Sequence, residues 1–214
     1  MISRCTGVLL AGGSSTRFGG TAKGLLALGG RRVVDWTLAA LDQAADELLL
    51  ISNDADVSSA IASVPCRPDV RRERGSLVGL HSALTYCEDA ALVVAWDMPF
   101  LSSTLLSALR ATGERANVAV IPEGPGGLEP LCGYYPKASL EVAERQLLAG
   151  EMRLSAFVSA LRHPVIMSVG EVRRFGTPER LFANLNTPAD FAAAQSLVDR
   201  GRPTPELATH RDSQ

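Results

Sequence analysis

From Val8 to Leu28 the chain reads Val-Leu-Leu-Ala-Gly-Gly-Ser-Ser-Thr-Arg-Phe-Gly-Gly-Thr-Ala-Lys-Gly-Leu-Leu-Ala-Leu. An apolar run breaks on Gly12-Gly13, passes through small hydroxyl residues, and then presents Arg17 and Lys23. Glycines there let the backbone take positive φ and come close to a ligand. Successive exposed N–H groups in such a turn form a concavity for anions, to which two cations add charge. The simplest ligand for this loop is a polyphosphate; the same residues also fit a surface turn with two solvated cations.

The rest of the chain alternates around that start. Residues 5–10 read as a short buried strand stopped by Ala-Gly-Gly. Val34, Leu38, Leu41 and Ala45 recur at helical spacing and predict an amphipathic helix over 33–45. Residues 47–52 form a second strand ending in Asn53-Asp54, a turn pair. Strand, helix and strand in that order make a right-handed crossover with parallel strands. Beyond it the pattern predicts a short helix over 57–62, a strand over 64–67 leading to Asp69, and a helix over 77–87. An apolar strand over 91–96 ends at Asp97-Met98-Pro99, and Ser102 or Ser103 caps a helix to 112. Next come a strand over 118–121, a Gly- and Pro-dominated loop over 122–130, and a strand over 131–135. Helices over 138–148 and 154–161, a strand over 165–169 and an extended piece over 182–186 follow. Thr187-Pro188-Ala189-Asp190 opens the last helix, with Phe191, Ala194 and Val198 on its inner face.

Such alternation predicts an open, mostly parallel α/β sheet covered on both faces. Sheets of this kind bind ligands in the crevice beyond the carboxyl ends of their strands. The Gly12 loop, Asn53, Asp69 and Asp97 each follow a strand and belong to that rim. A length of 214 residues suits one domain over 1–200. The polar, Pro-containing segment 201–214 is expected to be a disordered tail.

The formal net charge of −2 lacks the dominant positive field of a general nucleic-acid or acidic-membrane binder. Any affinity for phosphate must come from cations placed locally. Cys5, Cys66, Cys87 and Cys132 include no Cys-x-x-Cys pair and fit reduced core thiols. His81, His163 and His210 are too scattered for a metal set. There is no secretory pattern at the N-terminus and no apolar run long enough to span a bilayer, so a cytoplasmic protein with no membrane or nucleic-acid partner is expected.

Two familiar phosphate motifs are absent. Lys23 sits between Ala22 and Gly24, which rules out Gly-x-x-x-x-Gly-Lys-Ser/Thr, and the loop has no Gly-x-Gly-x-x-Gly. Asp97 is either a turn residue or a ligand for Mg2+, which takes one or two carboxylates plus phosphate oxygens and water. A phosphate loop on the same rim favours the metal. Lys23 at the loop mouth, and Arg17 with its planar fork, favour phosphate contact over solvation. Asn53 and Asp69 are weaker signals, being common turn residues. Asn184 and Asn186, two apart in an extended piece, would put both amides on one side, to read a polar ligand or to hold a loop. Arg71, Arg72 and Arg74 read as a solvated or phosphate-facing loop, the first reading being favoured.

Taken in order, these residues resemble the molybdenum cofactor guanylyltransferases. That family's opening pattern, Leu-Ala-Gly-Gly-x-Ser-x-Arg-Met-Gly-x-x-Lys, stands here as Leu10 to Gly19 and on to Lys23, with Phe18 for Met and an extra Gly20. Its Cys-Asp-x-Pro-Phe stands as Trp96 to Phe100, its Gly-Pro-Leu-x-Gly as Gly75 to Gly79 with Ser76 for Pro, and its Asn-x-Asn-Thr-Pro as Asn184 to Pro188. The resemblance runs from Gly7 to Leu197 and implies a Rossmann-like three-layer sandwich of the nucleotide-diphospho-sugar transferase type. It implies transfer of GMP from GTP to molybdopterin carrying molybdenum, with Mg2+ as cofactor, and molybdenum-insertion proteins and molybdoenzymes as possible partners. On that analogy Leu10, Ala11, Gly12 and Gly13, with Lys23, Asn53 and Asp69, hold GTP, and Asp97 binds the metal. Arg17, Asn184 and Asn186 face the pterin or the transferred phosphate, with Arg17, Lys23 and Asp97 as the catalytic set. Competing readings are CTP in place of GTP, a phosphosugar acceptor, or a non-catalytic nucleotide- or cofactor-binding module.

Overall fold

The computed structural model describes residues 4–12 and 22–200. Its centre is a parallel core of strands β1 (Cys5–Leu10), β4 (Glu47–Ile51), β5 (Cys66–Arg67) and β6 (Ala90–Ala95). Strands β1 and β6 are buried at every position, which is why both read as unbroken apolar runs rather than as alternations. Alternate residues still serve opposite faces. Cys5 and Leu9 of β1 join Leu92 and Val94 of β6 in one cluster; Val8 and Leu10 join Ala91 and Val93 in the other.

The first cluster is covered by α1 (Val33–Asp42), α2 (Ala55–Ala60) and α4 (Ser103–Ala116). The second is covered by α3 (Ser76–Tyr86), α5 (Ser139–Leu148) and α6 (Leu154–Ala160). Helix, sheet and helix make the three layers expected.

The sheet continues through β7 (Val120–Gly124), β9 (Cys132–Pro136) and β10 (Val165–Met167), in the order β10-β7-β9-β6-β1-β4-β5. Strand β9 is antiparallel to both of its neighbours, β6 and β7. The chain leaves β1 for β4 on one side and later reaches β6 on the other, so the order reverses at β1. Reversal points of this kind open the ligand crevice of α/β sheets.

Several boundaries differ from the sequence reading. Helix α4 does not stop at 112 but runs through Gly113 to a left-handed Asn117 cap. The loop expected over 122–130 is partly strand: β7 extends through Pro122, and β8 (Gly127–Leu128) pairs back onto it. The strand over 165–169 ends at Met167, where Ser168 and Glu171 form a capping box for the short α7 (Val169–Val172). The piece over 182–186 is not a strand: it leaves the short helix α8 (Pro178–Leu181), and the Asn186 N–H closes on the Asn184 carbonyl at 3.1 Å.

A small third cluster positions one side of the rim. Strands β2 (Ala27–Leu28) and β3 (Arg31–Arg32) form a hairpin over Gly29-Gly30, both at positive φ as its two-residue turn requires. The last helix, α9 (Pro188–Arg200), packs Phe191, Ala194 and Val198 against Leu28, Val33 and Leu185, the inner face that its spacing predicts. The Thr187 and Asp190 side chains cap it reciprocally at 3.1 and 2.7 Å. Among the described residues no helix is long and apolar enough to cross a membrane. The tail expected over 201–214 lies outside the described residues.

Candidate active site

Four neighbouring parallel strands, in the order β6, β1, β4 and β5, deliver their carboxyl ends to one rim. Asp97 follows β6, Leu10 ends β1 with Ala11 and Gly12 beyond it, Asn53 follows β4, and Asp69 follows β5. Three inter-strand steps make this rim about 14 Å long.

At the β6 end, the Lys23 ammonium lies 2.5 Å from Asp97 Oδ2 and donates to Asn186 Oδ1 at 2.7 Å. Both charged side chains are nearly buried, at 13% and 10% exposure, so this pair is shielded rather than solvated. Local packing holds it. Lys23 begins a single 3-10 turn, Lys23–Leu25, and Gly24 in that turn lies against the Trp96 indole. A Cβ at Gly24 would sit 2.4 Å from a ring carbon, so only glycine lets the turn rest on the ring. The Asp97 turn is tied down from two directions. The Leu185 N–H donates to the Asp97 carbonyl at 3.2 Å, and the buried Thr37 hydroxyl of α1 donates to the Met98 carbonyl at 3.1 Å.

At the β5 end, Asn53 and Asp69 form a closed ring of two bonds. The Asp69 N–H donates to Asn53 Oδ1 at 2.8 Å, and Asn53 Nδ2 donates to Asp69 Oδ2 at 2.7 Å. The backbone donor and the carboxylate acceptor leave one possible orientation for the amide. Between the two ends, the Ala11 N–H donates to the Ile51 carbonyl at 3.0 Å and the Trp96 N–H to the Leu10 carbonyl at 3.2 Å, which fixes the exit of β1.

The structure thus joins Lys23, Asp97 and Asn186 in one group, and Asn53 with Asp69 in a second. It does not join Asn184 to Asn186. Asn184 Nδ2 turns back to the Phe182 carbonyl at 3.4 Å, because the segment is a tight turn rather than a strand and its side chains do not share a side. Gly13 and Arg17 lie outside the described residues. Arg71 pairs with Glu73 at 2.8 Å on the loop before α3 and is itself only 24% exposed, while Arg72 and Arg74 are exposed. Among the described residues no three His, Cys, Asp or Glu side chains group as a metal cage.

A family model for the MobA-like NTP transferase domain matches residues 7–165, from the first strand to the start of β10. The chain belongs to the MobA-like NTP transferase family. It is similar to a molybdenum cofactor guanylyltransferase of Cereibacter sphaeroides, 35% identical over 198 residues that cover 91% of this chain and 97% of that one. A molybdenum cofactor guanylyltransferase of Desulfosudis oleivorans is 32% identical over 200 residues, covering 92% and 97%. Among solved structures, molybdopterin-guanine dinucleotide biosynthesis protein A of Archaeoglobus fulgidus matches with a TM-score of 0.79 at 27% identity, over 91% of this chain and 99% of that one. The chain is accordingly a nucleotidyltransferase, and its fold is of the nucleotide-diphospho-sugar transferase type.

In this MobA-like transferase two site-building residues escape sequence reading. Thr37 and Ser82 lie inside helices, are wholly buried, and bond to the rim. Thr37 is the lone hydroxyl of α1, whereas Ser82 shares α3 with Ser76 and Thr85, so the sequence hardly marks it. A serine or threonine there reads equally well as a back-bond to its own helix.

Proposed function

We propose that the protein transfers GMP from GTP to the terminal phosphate of molybdenum-carrying molybdopterin, forming the guanine dinucleotide cofactor and releasing pyrophosphate. The observation that carries this reading is the shielded Lys23–Asp97 pair, joined by Asn186, on the same rim as the end of β1. The names of full-length relatives support the choice of GTP and molybdopterin.

An oxygen of the acceptor phosphate attacks the α-phosphorus of GTP. The bond from that phosphorus to the bridging oxygen breaks, and pyrophosphate leaves with the electron pair. No protein nucleophile is needed; alignment and neutralisation of charge carry the rate. Leu10, Ala11, Gly12 and Gly13 would cradle phosphate through the backbone, and a Cβ at Gly12 would meet no described atom within 4 Å. Asn53 and Asp69 would hold the nucleoside end. Lys23 has three donors and, with two given to Asp97 and Asn186, keeps one for a phosphate oxygen. Arg17 would supply a second cation, and Asn186, held by Lys23, would face the acceptor.

Asp97 fits Mg2+ better than a closed metal site would. Mg2+ is held by one or two carboxylates with substrate phosphates and water, and among the described residues Asp97 is one buried carboxylate without a cage of further acids, His or Cys. Lys23 engages Oδ2, which leaves Oδ1 as the oxygen for the ion. Bound there, Mg2+ would offset the charge of the triphosphate and the leaving pyrophosphate. The four free thiols support a reducing, cytoplasmic setting.

The test is incubation with labelled GTP or CTP, Mg2+ and molybdopterin, reading pyrophosphate and nucleotide-linked pterin. GTP is expected to give both products, and Asp97→Ala to lose at least ~100-fold in turnover while retaining its fold. Preference for CTP, or full turnover by Asp97→Ala, would overturn the reading.

A further inference from the structure

The Asp69 carboxylate is held from behind by a residue that no sequence motif marks. Ser82 lies on α3, one helical turn after Val78, and is completely buried. Its Oγ accepts the Val70 N–H at 2.9 Å and lies 3.1 Å from Asp69 Oδ1 and 2.8 Å from the Val78 carbonyl. One hydroxyl proton therefore faces two acceptors. A carboxylate is the stronger of them, since bonds to an ionised acceptor are about twice as strong as neutral ones. The Val78 carbonyl already belongs to a helix, where a serine back-bond adds little.

We infer that Ser82 is a positioning residue for nucleotide binding: it fixes the Asp69 carboxylate so that its outward lone pairs are set before GTP arrives. The inference rests on the reading of Asp69 as a nucleotide ligand. Two tethers act together. Asn53 takes Oδ2 and the Asp69 N–H, while Ser82 takes Oδ1 and the next N–H, that of Val70. With one bond on each oxygen the carboxylate can neither rotate nor withdraw, yet each oxygen keeps a lone pair for a ligand. Asn53 is exposed and on a loop, whereas Ser82 is anchored in a packed helix, so α3 sets the position. The floor beside it is open: at Gly79, on the same helix, a Cβ would stand 4.0 Å from Asp69 Oδ1 and 3.6 Å from the Leu10 side chain. A preset acceptor binds more tightly because less ordering is left to the moment of binding.

The experiment compares Ser82→Ala, Asp69→Ala and the double variant by calorimetric titration with GTP and with inorganic tripolyphosphate, both in Mg2+. Ser82→Ala is expected to weaken GTP about five- to tenfold and to leave tripolyphosphate unchanged. In the Asp69→Ala background the serine change is expected to add nothing, since its effect travels through the missing carboxylate. Ser82→Cys keeps the volume with a much weaker hydrogen-bonding group, carries the test if Ser82→Ala does not fold, and should show the same selective loss. Unchanged GTP affinity in a folded Ser82 variant, equal loss of tripolyphosphate, or a further loss on top of Asp69→Ala would overturn the inference. If Asp69→Ala itself binds GTP like the parent protein, the nucleotide reading of Asp69 fails, and the inference falls with it.

Discussion

Lys23 is asked to do two things that pull against each other. With no ligand bound, its ammonium neutralises a carboxylate that is only 10% exposed; with GTP bound, it is also to meet phosphate. Removing one member of such a shielded pair leaves the other charge with poorer compensation, which costs about 1–3 kcal/mol. Lys23→Met is therefore expected to lower unfolding free energy by that amount in the ligand-free protein. Adding Asp97→Asn should recover most of the loss, because the uncompensated charge goes with it. Urea unfolding of the two single variants and the double variant measures this coupling directly. Simple additivity would mean that solvent, not Asp97, is the partner of Lys23. The placement of both residues on the rim was legible from the sequence: a lysine at the mouth of a glycine loop and an aspartate ending an apolar strand. The partnership with Asn186 was not, because 163 residues separate the two, and the Leu185–Asp97 backbone bond and the packing of α9 on Leu28 bring them together.

Glycines inside helices show why element boundaries were harder to read than element types. Gly113 lies in the last turns of α4, where a Cβ would come 2.0 Å from a carbon of the buried Tyr134 ring. It is there for close approach, and a sequence reading cannot tell that use from a helix stop. Gly79 in α3 is the opposite case, since an added Cβ would make ordinary contact at 3.6 Å with Leu10. Gly113→Ala is expected to cost about 1–3 kcal/mol through overpacking. Gly79→Ala is expected to stabilise the fold by up to about 1 kcal/mol through helix propensity. Thermal unfolding should move in opposite directions for the two variants, and a rise for Gly113→Ala would show that Tyr134 yields easily. The same logic separates what else was legible. Strands β1, β4 and β6 announced themselves as short apolar runs ending in turn residues. The segment 122–130 hid a strand pair behind Gly and Pro, because Pro122 sits in β7 and Gly124 faces Gly127 across the β7–β8 hairpin.

Across the whole molecule, burial of weak acids sets a limit on stability at high pH. Cys5 on β1 and Cys87 after α3 are pushed up by burial to about 12 and about 11, from an ordinary 9.0. Burial raises Cys132 on β9 further still, and carries Tyr134 to about 12 and its neighbour Tyr135 higher. Thiols held protonated in this way are inert, which agrees with reading Cys5, Cys87 and Cys132 as core residues. The sign of the pH effect follows from which state keeps its protons. Above pH 9 the unfolded chain releases thiol protons that the folded chain retains, so stability falls as pH rises toward the folded values. Each thiol contributes a slope of about 1.4 kcal/mol per pH unit in that window, and three together as much as about 4. Urea unfolding under reducing conditions at pH 7, 8, 9 and 10 should therefore be nearly level at first and then drop steeply. Cys132→Ala lowers stability overall by opening a small cavity, but its curve should fall less steeply above pH 9. Equal slopes for the variant and the parent would mean that the Cys132 thiol ionises in the folded protein as it does in water, and that the centre of the sheet is wetter than its packing indicates.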